Sequence, residues 1–292
     1  MTKSRERVVF EVFNYLFLTL LSVTTLYPFL NQLSLSFSTT RHAVTPGLHI
    51  FPNFSEFTLA SYQAIMRSRY IWTGFRNSVI RTAGGTLLAL LVYGLTAYPL
   101  SKKGFPGVKI FTFLFVFTML FDGGVIPNYL LIRRLGLQNS LLALIVQGVV
   151  SAFNIIIMRN FFRSIPESVE ESAKLDGAGD ITIFFRIIAP LSKPVFATIA
   201  LWLAIWHWNS WFDALLYITR RDTQVLQIIL REILIQNTGD MWADIRTSQA
   251  RDFQLVQLQA AVIIVSIVPI MSVYPFLQRH FIKGIMLGSV KG

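Results

Sequence analysis

A chain of 292 residues with 53% hydrophobic residues, 14% charged residues and a positive mean hydropathy is too apolar for one large or two ordinary soluble domains, which leaves the membrane class. Lys and Arg outnumber Asp and Glu, 26 to 15, for a formal net charge of +11. There is no cysteine, which excludes disulfides and thiolate metal sites.

Uncharged windows lie at 12–40, 82–101, 135–158, 194–212 and 253–278, with lengths of 29, 20, 24, 19 and 26 residues. A helix that crosses the hydrocarbon needs about 20. A sixth window, 110–121, stops at Asp122 after 12 residues, although GGVIPNYLLI prolongs its apolar character. Six transmembrane helices are expected. The first window follows MTKSRER, yet it is too long for a signal-peptide core and no small-residue cleavage site closes it, so it reads as an uncleaved span. In the second, Gly84, Gly85, Ala89, Gly94 and Ala97 allow close helix approach, and Gly85 with Ala89 has the small-xxx-small spacing.

An even number of spans puts both termini on one side. All eight lysines then fall in 1–11, 102–109, 159–193 and 279–292, which marks those segments as cytoplasmic. The raw Lys plus Arg count is less decisive, 14 inside against 12 outside. The expected layout is a cytoplasmic N-terminus at 1–11, a six-span domain at 12–282 and a cytoplasmic tail at 283–292. The long outer loops, 32–81 and 213–252, carry arginines that either steer an acidic partner or substrate or form a membrane-proximal basic surface.

The largest cytoplasmic element, 159–193, holds five of the chain's 15 acids between Glu167 and Asp180. Ser164 and Glu167 have the capping-box spacing, Pro166 fits a first turn, and Lys174 can pair with Glu170 at i+4. Asp176-Gly177 should break this helix, and Asp180 should cap a second, with Phe184, Phe185, Ile187 and Ile188 turning the chain back to the bilayer before Pro190. A glycine beside Ala178 at the tip permits φ > 0 and lets another backbone come close. A solvated interfacial loop and a docking knob both fit that pattern.

The run Glu171-Ser172-Ala173, then Asp176-Gly177-Ala178, then Ile187, Pro190 and Pro194, resembles the EAA loop of ABC importer permeases. Ser172 and Ala189 stand where alanine and leucine are usual. The stretches 121–140, 151–178, 207–217, 226–234 and 283–292 are similar to the carbohydrate-uptake branch of that family, in its maltose-G-like and lipoprotein/polysaccharide-permease-like subunits. Val225 departs from it, standing where relatives often have proline. The resemblance implies an all-α integral membrane protein of the type I importer architecture, located in the cytoplasmic membrane. It implies a second homologous permease, two ATPase subunits that bind ATP and Mg, and an extracytoplasmic solute-binding protein. It also implies that Glu170, Glu171, Ser172, Ala173, Asp176, Gly177, Ala178 and Pro190 couple ATPase closure to the spans, and that the tail reaches down between the ATPases.

No phosphate loop occurs in the chain, nor a Ser-His-Asp set, a His pair at i and i+4 or a convincing carboxylate pair. His42, His49, His207 and His280 are scattered, so neither an enzyme nor a metal site is expected. LWLAIWHWNSWF at 201–212 is either an aromatic belt at the outer interface or a wall of the substrate path. In the second case Trp202 and Trp206 stack on sugar faces while His207 and Asn209 bond hydroxyls; both hold if opposite helix faces do different jobs. Asp122 either serves the bend at Gly123-Gly124 or faces the path. The expected cargo is a carbohydrate, an oligosaccharide or polysaccharide, and the outer-loop arginines make an acidic one such as alginate the leading choice within that class. The alternative from another class is a membrane scaffold or receptor with a soluble cytoplasmic partner and no transport path.

Overall fold

The computed structural model describes residues 5–39, 57–236 and 255–289. Among them the chain is helical, with no strand beyond one isolated bridge between Ser38 and Phe57. The helices are α1 (Arg5–Ser36), α2 (Ala60–Arg67), α3 (Arg69–Ser101), α4 (Val108–Leu120), α5 (Val125–Arg134), α6 (Leu141–Ile145) and α7 (Ala152–Arg163). They continue with α8 (Glu167–Leu175), α9 (Asp180–Leu191), α10 (Lys193–Asn209), α11 (Phe212–Tyr217), α12 (Leu226–Arg231) and α13 (Leu255–Ser289).

Among the described residues, α1, α3 and residues 255–272 of α13 are long and apolar enough to cross a membrane. Two bent pairs, α4 with α5 at 114° and α9 with α10 at 80°, bring the number to five if each pair is one crossing. The expected count of six is therefore not what these residues display. The window 135–158 is the one that fails, because it divides between α6 and α7. Asn139 at φ 58° and Gly148 at φ 74° stand at its breaks, and a right-handed helix does not run through left-handed residues. At the other end, α13 passes the expected boundary at 282 without interruption and runs to Ser289. The tail's last residues, 290–292, lie outside the described residues, as do Lys3, Arg41, His42, His49, Arg246 and Arg251.

Two compact units divide the chain, Met1–Ile71 with Leu230–Val268 and Trp72–Ile229 with Pro269–Gly292. In the first, the Ser36 and Tyr62 hydroxyls lie 2.8 Å apart, and Phe37 stacks on Phe57 and on Tyr62. The Gln257 amide donates to the Ser38 carbonyl, and that of Gln259 to the Ile233 carbonyl at 2.9 Å. The apolar side chains of α1, from Val8 to Leu26, face outward, as suits a helix whose solvent is lipid.

The second unit is built on α3. Ala89, Tyr93 and Ala97 are fully buried against Ile155 and Met158 of α7, Ile183 and Ile188 of α9, and Ile199 and Leu203 of α10. Close approach needs the small residues the sequence placed there. A Cβ on Gly85 would lie 2.2 Å from His207 Nε2, and one on Gly94 would lie 2.9 Å from Phe184 Cζ. A second cluster joins Ile132, Ala143 and Leu144 to Tyr217, Ile218 and Val225. Asn139 stitches it: its side-chain oxygen accepts the Thr219 and Arg220 amides at 2.6 and 2.9 Å, and its own N–H donates to the Tyr217 carbonyl at 2.9 Å. Asn77 adds bonds from its amide to the Asp222 and Gln224 carbonyls, both 2.9 Å.

Gly85 is thus the notch for the His207 ring. Gly85→Ala should destabilise the purified permease by about 1–3 kcal/mol through overpacking, read as a lower melting midpoint in detergent. His207→Ala in the same chain should return part of that loss, whereas strictly additive effects of the two changes would show that the ring does not depend on the notch.

Candidate functional site

Two constellations stand out, a polar helix pair and an aromatic cleft. The helix pair begins differently from the capping-box expectation. Pro166 occupies the N-cap position of α8 with no side-chain cap, while the Ser164 hydroxyl donates to the Phe161 carbonyl at 2.6 Å and closes α7 instead. Glu167 and Glu170 lie in the first turn of α8, the favourable sign for a helix dipole. Its end is a Schellman motif: the Gly177 N–H donates to the Lys174 carbonyl at 3.0 Å, and that of Ala178 to the Ala173 carbonyl at 2.9 Å. Gly177 sits at φ 80°, as the motif requires, and a Cβ there would meet nothing within 4 Å. The tip is open.

Asp180 begins α9 but caps nothing, since Gly179 is the N-cap residue. Phe184–Ile188 form a π turn in which the Ala189 N–H reaches back to the Phe184 carbonyl. Pro190 has no N–H to offer the Arg186 carbonyl, which favours this wider turn. Phe184 and Ile188 are buried by it, while Phe185 remains exposed.

Three of the five acids are engaged within the chain. Glu170 pairs with Lys102, Glu167 with Lys103 at 2.7 Å, and Lys174 turns to Asp180 at 3.5 Å rather than to Glu170 as expected. Glu171 and Asp176 have no ion pair among the described residues. Hydrogen bonding to Lys103 and that residue's charge hold the Glu167 carboxyl below the usual range. A lowered folded-state value means this contribution is present above the ordinary carboxylate range and is lost as pH falls through the lowered one. Because both side chains of the Lys103–Glu167 pair are well exposed, water and salt screen it, and the less exposed Lys102–Glu170 pair is the firmer anchor. The Arg159 side chain donates to the Leu100 carbonyl at 2.8 Å, a further tie between this segment and the end of α3. Two residues beside the tip escaped the sequence reading: Leu175 is 89% exposed and Ile181 74%. Leu175 had a signal, as the lone large apolar residue of a polar run, whereas Ile181 merges into the apolar stretch that follows it.

The cleft lies where α10 ends. Trp202, Trp206 and Asn209, at i, i+4 and i+7, line it on one helix face together with Ile205, Ser210, Trp211, Phe212 and Asp213, around a space of about 680 Å³. Trp208 is on the opposite face, edge-on to Phe75 with centroids 5.8 Å apart. His207 does not join the cleft. Its ring is 1% exposed and fills the Gly85 notch on α3, so the hydroxyl-binding role expected of it is not available from this position. Asp122 is also elsewhere, accepting the Gly124 N–H at 2.6 Å where the chain bends between α4 and α5.

Asp213 carried no signal in the sequence, and Arg81, expected among the outer-loop arginines of 32–81, is buried on α3 instead. Arg81 is fully buried on α3, yet its guanidinium donates to the Ser210 carbonyl at 2.9 Å and pairs with the Asp213 carboxylate in the cleft wall. The other Asp213 oxygen accepts the Ala214 N–H at 2.9 Å. Asn209 and Ser210 close the last turn of α10 on the Ile205 and Trp206 carbonyls at 2.9 and 2.8 Å. No cluster of metal-ligating side chains occurs among the described residues.

Residues 104–220 match the family described as the binding-protein-dependent transport system inner membrane component. The chain is 39% identical over 287 residues to the polygalacturonan/rhamnogalacturonan transport system permease protein YtcP of Bacillus subtilis (strain 168), covering 97% of this chain and 99% of that one. It is 41% identical over 287 residues to protein LplC of the same organism, with 97% and 95% covered. A chain of a bacterial ABC transporter involved in the import of the acidic polysaccharide alginate shares the fold at a TM-score of 0.89 and 32% identity, covering 96% and 99%. At such identity over nearly the whole length, the chain belongs to the family of binding-protein-dependent transport system inner membrane components and is a multi-pass permease subunit of an ABC importer.

Proposed function

We propose that this permease carries an acidic oligosaccharide or polysaccharide across the cytoplasmic membrane and draws its energy from ATPase subunits that seat residues 167–191. The observation that carries the proposal is the open tip at Gly177, flanked by two largely exposed apolar side chains. Leu175 and Ile181 are largely uncovered by the described residues, and an apolar cleft on a partner would cover them. Glu171 and Asp176 give the knob a sign that basic residues in that cleft can match. Glu170 faces the other way and joins the knob to α3 through Lys102. Ala173 lies under the Schellman turn, Ala178 completes it, and Pro190 sets the π turn that returns the chain to α10. Ser172, unusual for the family, is absorbed locally by donating to the Ser168 carbonyl at 2.9 Å.

The complete machine contains a second homologous permease, two ATPase subunits that bind ATP with Mg, and an extracytoplasmic solute-binding protein. Both termini lie in the cytoplasm, an orientation supported by the distribution of lysines. For the cargo, support comes from the names of the relatives: polygalacturonan and alginate are polymers of uronic acids. Trp202 and Trp206 offer ring faces for sugar stacking and Asn209 a polar rim, while Asp122 serves its bend. The deciding experiment is binding-protein-dependent uptake by the reconstituted complex across a panel of neutral and acidic glycans. Uptake of uronate oligomers supports the reading, and uptake of neutral sugars alone defeats it.

Two variants test the coupling. Gly177→Asp adds backbone strain of about 1 kcal/mol and places a charge at the tip; the protein should insert and assemble, with uptake per ATP hydrolysed falling about tenfold or more. Wild-type coupling in that variant would remove the docking role. Exchanging the anchor is the second test. Lys102→Glu and Glu170→Lys should each impair coupling, and the double exchange should restore much of it, measured as the ratio of uptake to ATPase rate.

A further inference from the structure

We infer that Arg81 and Asp213 form a charge mask behind the aromatic cleft, which makes Arg81 a specificity-determining residue for anionic sugars. The inference deepens the proposed function, because it rests on the cleft being part of the sugar's path. Among the described residues that line the cleft, Asp213 is the only ionisable one. A bare carboxylate there would repel an anionic sugar approaching the tryptophans. The chain cancels it from behind. Arg81 is fully buried, reaches the wall from α3 and places its guanidinium on the Asp213 carboxylate.

Holding the break between α10 and α11 does not by itself explain the pair. The Ser210 carbonyl needs one donor, and the first turn of α11 needs one acceptor; neutral side chains supply both. Burying an arginine is costly unless a partner charge and further hydrogen bonds compensate it, and here Asp213 and the Ser210 carbonyl provide them. What the ionic version adds is a wall that keeps the hydrogen bonds of a carboxylate without presenting its net charge. Aromatic faces then meet the sugar ring with no field opposing its acid group. Removing one member of the pair unmasks the other: without Arg81 the wall becomes negative, and without the Asp213 charge it becomes positive. For a ligand charge about 10 Å away in a partly screened site, either change is worth on the order of tenfold in affinity.

The test uses the whole complex, reconstituted in vesicles with its ATPases, second permease and binding protein. Two probes are compared, oligogalacturonate and the same oligomer after reduction of its carboxyl groups, which keeps the linkage and removes the charge. Arg81→Gln should raise the half-saturating concentration for the acidic oligomer about tenfold while changing the neutral one less than about threefold. Asp213→Asn should lower the ratio of the acidic to the neutral half-saturating concentration, whatever common change the two share. The double variant should return the acidic value towards wild type. Equal effects on both oligomers, or a double variant no better than Arg81→Gln, assign the pair to structure alone and overturn the inference. Should Arg81→Gln fail to assemble, the sign of the Asp213→Asn effect decides.

Tryptophan quenching separates this inference from the reading beneath it. In purified permease, Asp213→Asn should increase quenching by iodide relative to caesium, with acrylamide unchanged. If that shift occurs but the wild-type complex imports only the neutral oligomer, the acidic cargo is wrong while the mask stands. Absence of the shift removes the mask whatever is imported.

Discussion

The close seating of α3 against α7, α9 and α10 is the contact on which the rest of the second unit depends. In lipid the hydrophobic effect does little to bring apolar helices together, so association comes from fit and from hydrogen bonds. Here the fit is made by absent side chains: Gly85 takes in the His207 ring, Gly94 meets the rings of Phe184 and Phe196, and Ala89 and Ala97 are completely enclosed. The Tyr93 hydroxyl adds a bond to the Gly148 carbonyl, at the point where the chain between α6 and α7 turns left-handed. A larger residue at any of these positions would hold the helices apart.

This seating makes α3 a strut with two charged contacts along it. Arg81, in its first half, meets the start of α11, and just past its C-terminal end Lys102 and Lys103 meet α8. Arg81 and Lys102 are about 30 Å apart at the rise of a straight helix, close to the thickness of the hydrocarbon layer. Each charge is placed where an opposite one is available. Arg81 needs this most, since it is buried and a buried unpaired charge is among the most destabilising features a chain can carry. The lysines are more exposed and contribute direction more than stability.

Much of this was legible from residue order. Membrane class, the apolar windows, the small-residue face of α3 and the turn at Asp176-Gly177 all depend on composition or on neighbours a few positions apart. So does the placing of Trp202, Trp206 and Asn209 on one face of α10, because helical periodicity alone sets it. Where local chemistry offered two answers, the sequence reading chose wrongly. Ser164 could cap α8 or close α7, and it closes α7; Lys174 could take Glu170 or Asp180, and Lys102 removed the first option.

Sequence by itself determined that this is a helical membrane permease of the binding-protein-dependent family with an exposed polar helix pair, since those features are written in local pattern and motif. Only the tertiary structure decided that His207 turns away from the cleft into the Gly85 notch, that the window 135–158 is broken, and that Arg81 lies behind Asp213. Each of these joins residues dozens to more than a hundred positions apart or hangs on a backbone conformation held by distant partners. Spacing along the chain carries no record of which helix a side chain will meet, because in a bilayer that is settled by which surfaces fit.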